Sequence, residues 1–106
     1  MDTKDIINQV EQIVCDKVGV DRDEMISITK KGACVKARHL IMFILHTEFN
    51  VSVKTLCDVY NYSTRGVFLV NQRVREYIAY NSTYRDFFND VIECVRNIEI
   101  RKNECI

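Results

Sequence analysis

No proline and no tryptophan occur in this chain, glycine is confined to Gly19, Gly32 and Gly66, and acids and bases balance to a formal net charge of zero. A β-sandwich or barrel needs frequent turn residues, so the lack of Pro and Gly argues against one. Disorder is equally disfavoured, because 47% of the residues are hydrophobic and can bury enough surface to offset chain entropy. The longest apolar run, Leu40 to Leu45, falls far short of the ~20 residues that a membrane-spanning helix needs. Met1 to Asn8 is polar with charges of both signs, unlike a secretory or transit peptide, so a soluble, cytoplasmic protein is expected.

Five cysteines, Cys15, Cys34, Cys57, Cys94 and Cys105, make an odd number with no CxxC pair. That spacing suggests neither a disulfide framework nor a zinc site; buried, reduced thiols are expected. His39 and His46 stand seven residues apart, which on one helix is ~10 Å and too far to share a metal. Cations beside Cys34 favour a thiolate, yet no general base or acyl-transfer constellation accompanies it. The glycine-rich phosphate cradle GxxxxGK[ST] is missing as well, so no nucleotide, no cofactor and no enzymatic activity are expected.

What is present is helical periodicity across a chain of 106 residues, a length that suits one domain with one core. The expected fold is a compact all-α domain of five to six helices. Ile6, Val10, Ile13 and Val14 form one stripe of a helix from about Asp5 to Val18, and Gly19 ends it. Asp21 and Glu24 resemble a capping box that opens a short helix through about Ile28, carrying Met25 and Ile26 inward. Thr29 to Gly32 reads as a loop. A helix from about Val35 to Phe49 is apolar nearly all round and should form the buried centre.

Ser52 is placed to cap a helix of about Val53 to Tyr60, with Val53, Leu56 and Val59 or Tyr60 inward; Asn61 and Tyr62 make a turn. Ser63 then caps a helix whose Val67, Val70, Val74 and Ile78 recur at helical spacing until Asn81 stops it. Ser82 or Thr83 starts a last helix through about Ile100, with Phe87, Val91, Cys94, Val95 and Ile98 inward. Tyr77, Tyr80 and Tyr84 read first as a lock between these last two helices and second as a stacking platform for single strands.

Charge is zero in sum but not in distribution. Residues 1–29 hold seven acids against three bases, whereas residues 30–38 hold Lys30, Lys31, Lys36 and Arg38 with no acid. Residues 63–85 hold Arg65, Arg73, Arg75 and Arg85 against Glu76 alone. With a Debye length of ~8 Å, such islands act on a nearby phosphate almost independently of distant carboxylates. A short helix, a tight turn and a longer helix that begins with Ser63, Thr64 and Arg65 is the order of a helix-turn-helix. In that motif the second helix enters the major groove and its first residues meet base edges.

Ala37-Arg38 opening an apolar helix, Ser52-Val53 starting the next, then the turn and Val67, together resemble the C-terminal domain of the bacterial replication initiator DnaA, over about Asp5 to Val95. The resemblance implies an all-helical, sequence-specific duplex-binding module of DNA replication, with a basic loop in the minor groove and a helix-turn-helix in the major groove. It places Lys30 where the family has its minor-groove arginine, with Lys31 beside it. Arg38 falls on a phosphate-contacting arginine, His39 on a glutamine, and Lys54 on a phosphate-side position. The family's reading run Gly-Gly-Arg-Asp-His-Thr-Thr-Val is replaced here by Asn61-Tyr62-Ser63-Thr64-Arg65-Gly66-Val67, one residue shorter, so the preferred duplex is expected to differ. The expected DNA-binding set is Lys30, Lys31, Arg38, His39, Lys54, Ser63, Thr64 and Arg65. A second expectation, from the acidic first helix, is a module of the same fold that binds a protein partner or a second copy of itself.

Overall fold

Helix α1, Thr3–Val18, is amphipathic and ends at Gly19, whose positive φ of 83° closes the helix with a hydrogen bond to the Cys15 carbonyl. The computed structural model describes residues 3–27 and 32–104, with side chains through residue 98. After α1 come α2 (Arg22–Ile26), α3 (Gly32–Phe49), α4 (Val53–Tyr60), α5 (Thr64–Tyr80) and α6 (Ser82–Glu104). The described chain is all-helical, and its radius of gyration of 13.3 Å is what ~100 residues give when folded as one globule.

Helix α3 is the axis of the fold. Residues 40–45 are all buried, and α1, α2 and α5 pack around them, while α6 crosses α1 and α5. An apolar sequence without a polar face has only one low-energy location, surrounded by other helices. The stripe of α5 (Val67, Val70 and Val74) and that of α6 (Val91, Val95 and Ile98) complete the core. Tyr77 and Tyr84 stack at 5.3 Å between ring centroids and join α5 to α6, whereas Tyr80, expected in the same lock, stands 88% exposed. Asn81 serves both helices: its N–H donates to the Tyr77 carbonyl, and its Oδ1 accepts from the Tyr84 N–H at 2.9 Å.

Several expectations need correcting. Helix α3 begins at Gly32 and not near Val35, so Gly32 belongs to the helix. Helix α2 stops at Ile26, and Asp21 accepts from the Asp23 N–H where a full capping box would use Glu24. Ile26 is 46% exposed while Met25 is fully buried, because five residues make little more than one turn and only one of two adjacent side chains can face the core. Val59 faces solvent, and Tyr60 takes the inward position. Phe87 and Cys94 are half-buried, at the border of the α6 stripe.

Buried polar groups tie α1 to its neighbours. Glu11, 2% exposed, accepts from Arg22 at 2.9 Å and from the Tyr60 hydroxyl at 2.7 Å, and Arg22 also donates to Asn8. One carboxylate thus fixes α1, α2 and α4 to one another. Burial, with the Glu11 charge beside it, pushes the Tyr60 hydroxyl well above its ordinary pKa and keeps it a donor.

Candidate nucleic-acid interface

Helix α4 starts at Ser52, whose hydroxyl accepts from the Thr55 N–H at 3.1 Å, and two residues on Lys54 lies exposed. Tyr60 anchors its other end in the core. The chain then reverses through Asn61, in the left-handed region at φ 57° and ψ 49°, with the Asn61 and Tyr62 N–H groups both returning to the Cys57 carbonyl. Asparagine tolerates this conformation better than most residues. Ser63 restarts the helix: its Oγ accepts from the Gly66 N–H at 3.0 Å, leaving Thr64 and Arg65 exposed in the first turn of α5.

Gly66 is explained by this turn. A Cβ there would lie 3.2 Å from the Ser63 Oγ and 3.4 Å from Tyr62 Cδ2, so the close approach comes from the cap and the turn tyrosine. Tyr62 in turn reaches back to α3, its hydroxyl 3.3 Å from His39 Nε2 and its ring edge-on to the imidazole at 6.2 Å. The α4–α5 turn is therefore braced against the central helix. His39 is half-buried, and burial, with Arg73 and Arg38 nearby, holds its pKa below the ordinary value.

The eight expected residues divide. Lys54, Ser63, Thr64 and Arg65 lie exposed around the starts of α4 and α5, and His39 joins the second start through Tyr62. Lys30 and Lys31 lie outside the described residues. Arg38 departs from its expected role. It is 8% exposed, and its Nε and Nη2 donate to the Met25 carbonyl at 3.0 and 2.7 Å, with Nη2 also donating to Ser27 at 2.8 Å. Those carbonyls lie in the last turn of α2 and at its C-cap, where helical carbonyls generally need donors from outside the helix, and the guanidinium satisfies them with two of its nitrogens. Arg38 thus fixes the departure point of the segment that carries Lys30 and Lys31, in place of touching a phosphate itself.

Three features escaped the reading of the sequence. Tyr62 carries only a turn signal in the sequence, and its brace to His39 spans 23 positions. Lys36, His39 and Arg73 line one cleft of about 620 Å³ between α3, α5 and α6; bases on two helices carry no signal of meeting until the helices are packed. Leu69, 52% exposed on the outward side of α5 beside Phe68, is signalled by its place off the Val67, Val70 and Val74 stripe.

His46 rests with Nδ1 3.0 Å from the Val51 carbonyl, a helix-end contact. Among the described residues no group of three or more His, Cys, Asp and Glu is placed to hold a metal ion, and no helix is long and apolar enough to cross a membrane. No protein-family model matches the chain, and no curated protein matches it.

Proposed function

We propose that this protein binds duplex DNA as a helix-turn-helix module, with the start of α5 in the major groove. The observation that carries the reading is the capped first turn of α5. Ser63, Thr64 and Arg65 stand in solvent on a rigid, braced turn. Unsatisfied N–H groups of that turn and the positive end of the helix dipole suit phosphate, and an arginine suits guanine O6 and N7. The charge of α5 agrees: Arg65, Arg73 and Arg75 face Glu76 alone. Among the described residues none of these arginines makes a hydrogen bond or ion pair, so their donors remain available. Lys54 supplies a phosphate contact at the start of α4, and Lys30 and Lys31, which lie outside the described residues, add two further cations for the duplex.

Selection of bound duplexes from a random pool, followed by titration at several salt concentrations, tests the proposal. Affinity should fall linearly with salt on logarithmic axes as counterions leave the phosphates. Changing Lys30 and Lys31 to Ala should weaken all sequences alike, whereas Arg65→Ala should flatten preference at one position by about 1 to 3 kcal/mol. Binding that ignores salt, or a pool that returns no enriched duplex, defeats the reading.

A second reading is favoured by a specific observation, the exposed Phe68 and Leu69 one turn beyond Arg65. An outward apolar pair on a helix suits a protein partner or a second copy of this chain. Sedimentation of the protein alone and with duplex separates the two readings, since Phe68→Ser with Leu69→Ser abolishes self-association under the second and leaves a monomer unchanged under the first.

A further inference from the structure

The cleft between α3, α5 and α6 has an unusual lining for so small a domain. Its charged residues among those described are Lys36 and Arg73, with His39 on the same wall and no carboxylate. The rest of the lining includes three aromatic rings, Tyr77, Tyr84 and Phe87. The Lys36 ammonium lies 5.3 Å from the centroid of the buried Tyr84 ring, which Tyr77 stacks against, and half of Tyr77 remains in solvent. The start of α3 at Gly32 and the first turn of α6 at Thr83 border the same space, bringing the positive ends of two helix dipoles to it.

A protein that gathers bases without acids in a half-enclosed cleft holds a repulsion that an anion relieves. The lowered His39 pKa, caused by burial and by Arg73 and Arg38, reflects the same crowding. A bare inorganic anion would use the cations and leave the tyrosines idle. An aromatic compound without charge would do the reverse. A volume of about 620 Å³ lies within the range of small-molecule sites.

We propose that this cleft binds a nucleoside monophosphate, with the phosphate between Lys36 and Arg73 and the base continuing the stack on the outer face of Tyr77. Such a site uses point charges and ring stacking where a phosphate-binding loop would use glycine backbone, which is why the lack of a glycine-rich cradle does not bear on it. The inference does not rest on duplex recognition by the start of α5, since Arg65 lies eight residues from Arg73, ~12 Å along the helix.

The test is a titration of the full chain with adenosine 5′-monophosphate, adenosine and inorganic phosphate, read from the tyrosine ring signals by NMR. The monophosphate should bind more tightly than either part, and Arg73→Gln, at an exposed position, should weaken it by about tenfold while the spectrum stays folded. Tyr77→Leu should bring the monophosphate down to the affinity of inorganic phosphate. Arg65→Ala should change nothing here, so failure of duplex reading and failure of this site are seen separately. A short single-stranded oligonucleotide that displaces the monophosphate, with a loss on Arg73→Gln, would name a strand as the source of the same nucleotide unit. Equal binding of monophosphate and phosphate by the unaltered chain, or indifference to Arg73→Gln, would overturn the proposal.

Discussion

On the α1–α2 side of the molecule Arg22 and Arg38 direct their donors into the protein, one to a buried carboxylate and one to helix-end carbonyls. On α5, Arg65, Arg73 and Arg75 make no hydrogen bond or ion pair with any described residue. The residue type is the same and the local sequence gives no warning. Distance from an unsatisfied acceptor decides: an arginine that can reach one in the core is captured by it, and one that cannot stays available to a partner. The first region should therefore respond to mutation through stability and the second through binding.

The largest effect is expected at Arg38. Arg38→Ala leaves the buried Met25 carbonyl without its charged donors, while the exposed Ser27 carbonyl can turn to water, a loss of about 3 kcal/mol. Urea unfolding should show it as a lower midpoint at unchanged slope. A stable variant that has instead lost duplex affinity would return Arg38 to the group of phosphate contacts and break the comparison.

Next comes Glu11→Gln, expected to cost about 2 kcal/mol. The penalty stays below that of a fully buried pair because the Arg22 side chain is 35% exposed and can rehydrate. The same variant has a signature in pH. Burial first and the Glu11 charge second push the Cys15 thiol up to about 11 from 9.0. The folded state then holds a proton that the unfolded state releases, so this contribution is complete below pH 9.0 and is lost as pH rises from 9.0 to about 11. Removing the Glu11 charge should narrow that window, and Cys15→Ala should leave only the fall that begins near pH 10.0 with the raised Tyr60 and Tyr84 hydroxyls, both read from urea midpoints between pH 8 and pH 11. A profile identical in all three proteins would show that the thiol does not sense Glu11.

How far the sequence carried this comparison differs between backbone and side chains. The Ser52 and Ser63 caps, the left-handed Asn61 and the Val67, Val70 and Val74 stripe were all legible, because each is decided within one turn of chain. Ile26 was misplaced because a helix of five residues has too few turns for periodicity to choose its inward side chain. The capture of Arg38 by α2, the Glu11 link to Tyr60 49 positions away and the meeting of Lys36 with Arg73 are outcomes of packing. The candidate interface was thus readable where it is a helix start and hidden where it is a juxtaposition.

A smaller effect is expected at Gly66. Alanine would favour the helix by ~1 kcal/mol, yet its Cβ would press on the Ser63 Oγ that caps it, 3.2 Å away. Loss of a serine cap costs ~1 kcal/mol, and Tyr62 must also shift from 3.4 Å, so Gly66→Ala should be slightly destabilising, by less than about 1 kcal/mol. Clear stabilisation in thermal unfolding would mean that the turn yields, and that the brace from Tyr62 to His39 is looser than its geometry implies.

The smallest effect on folding is expected at Arg75, and it is the most informative for function. The side chain is exposed and has no partner among the described residues, so Arg75→Gln should leave stability within about 0.5 kcal/mol of the parent. If α5 lies against duplex, the variant should nevertheless lower the slope of affinity against salt by about one counterion, equally for every sequence. An unchanged slope would place Arg75 away from the phosphates and narrow the contacting surface to the first turn of α5 and the start of α4. A stability loss as large as that of Arg38→Ala would mean that this arginine too has an acceptor within the protein, and the division between captured and available cations would fail at the position where it is drawn most sharply.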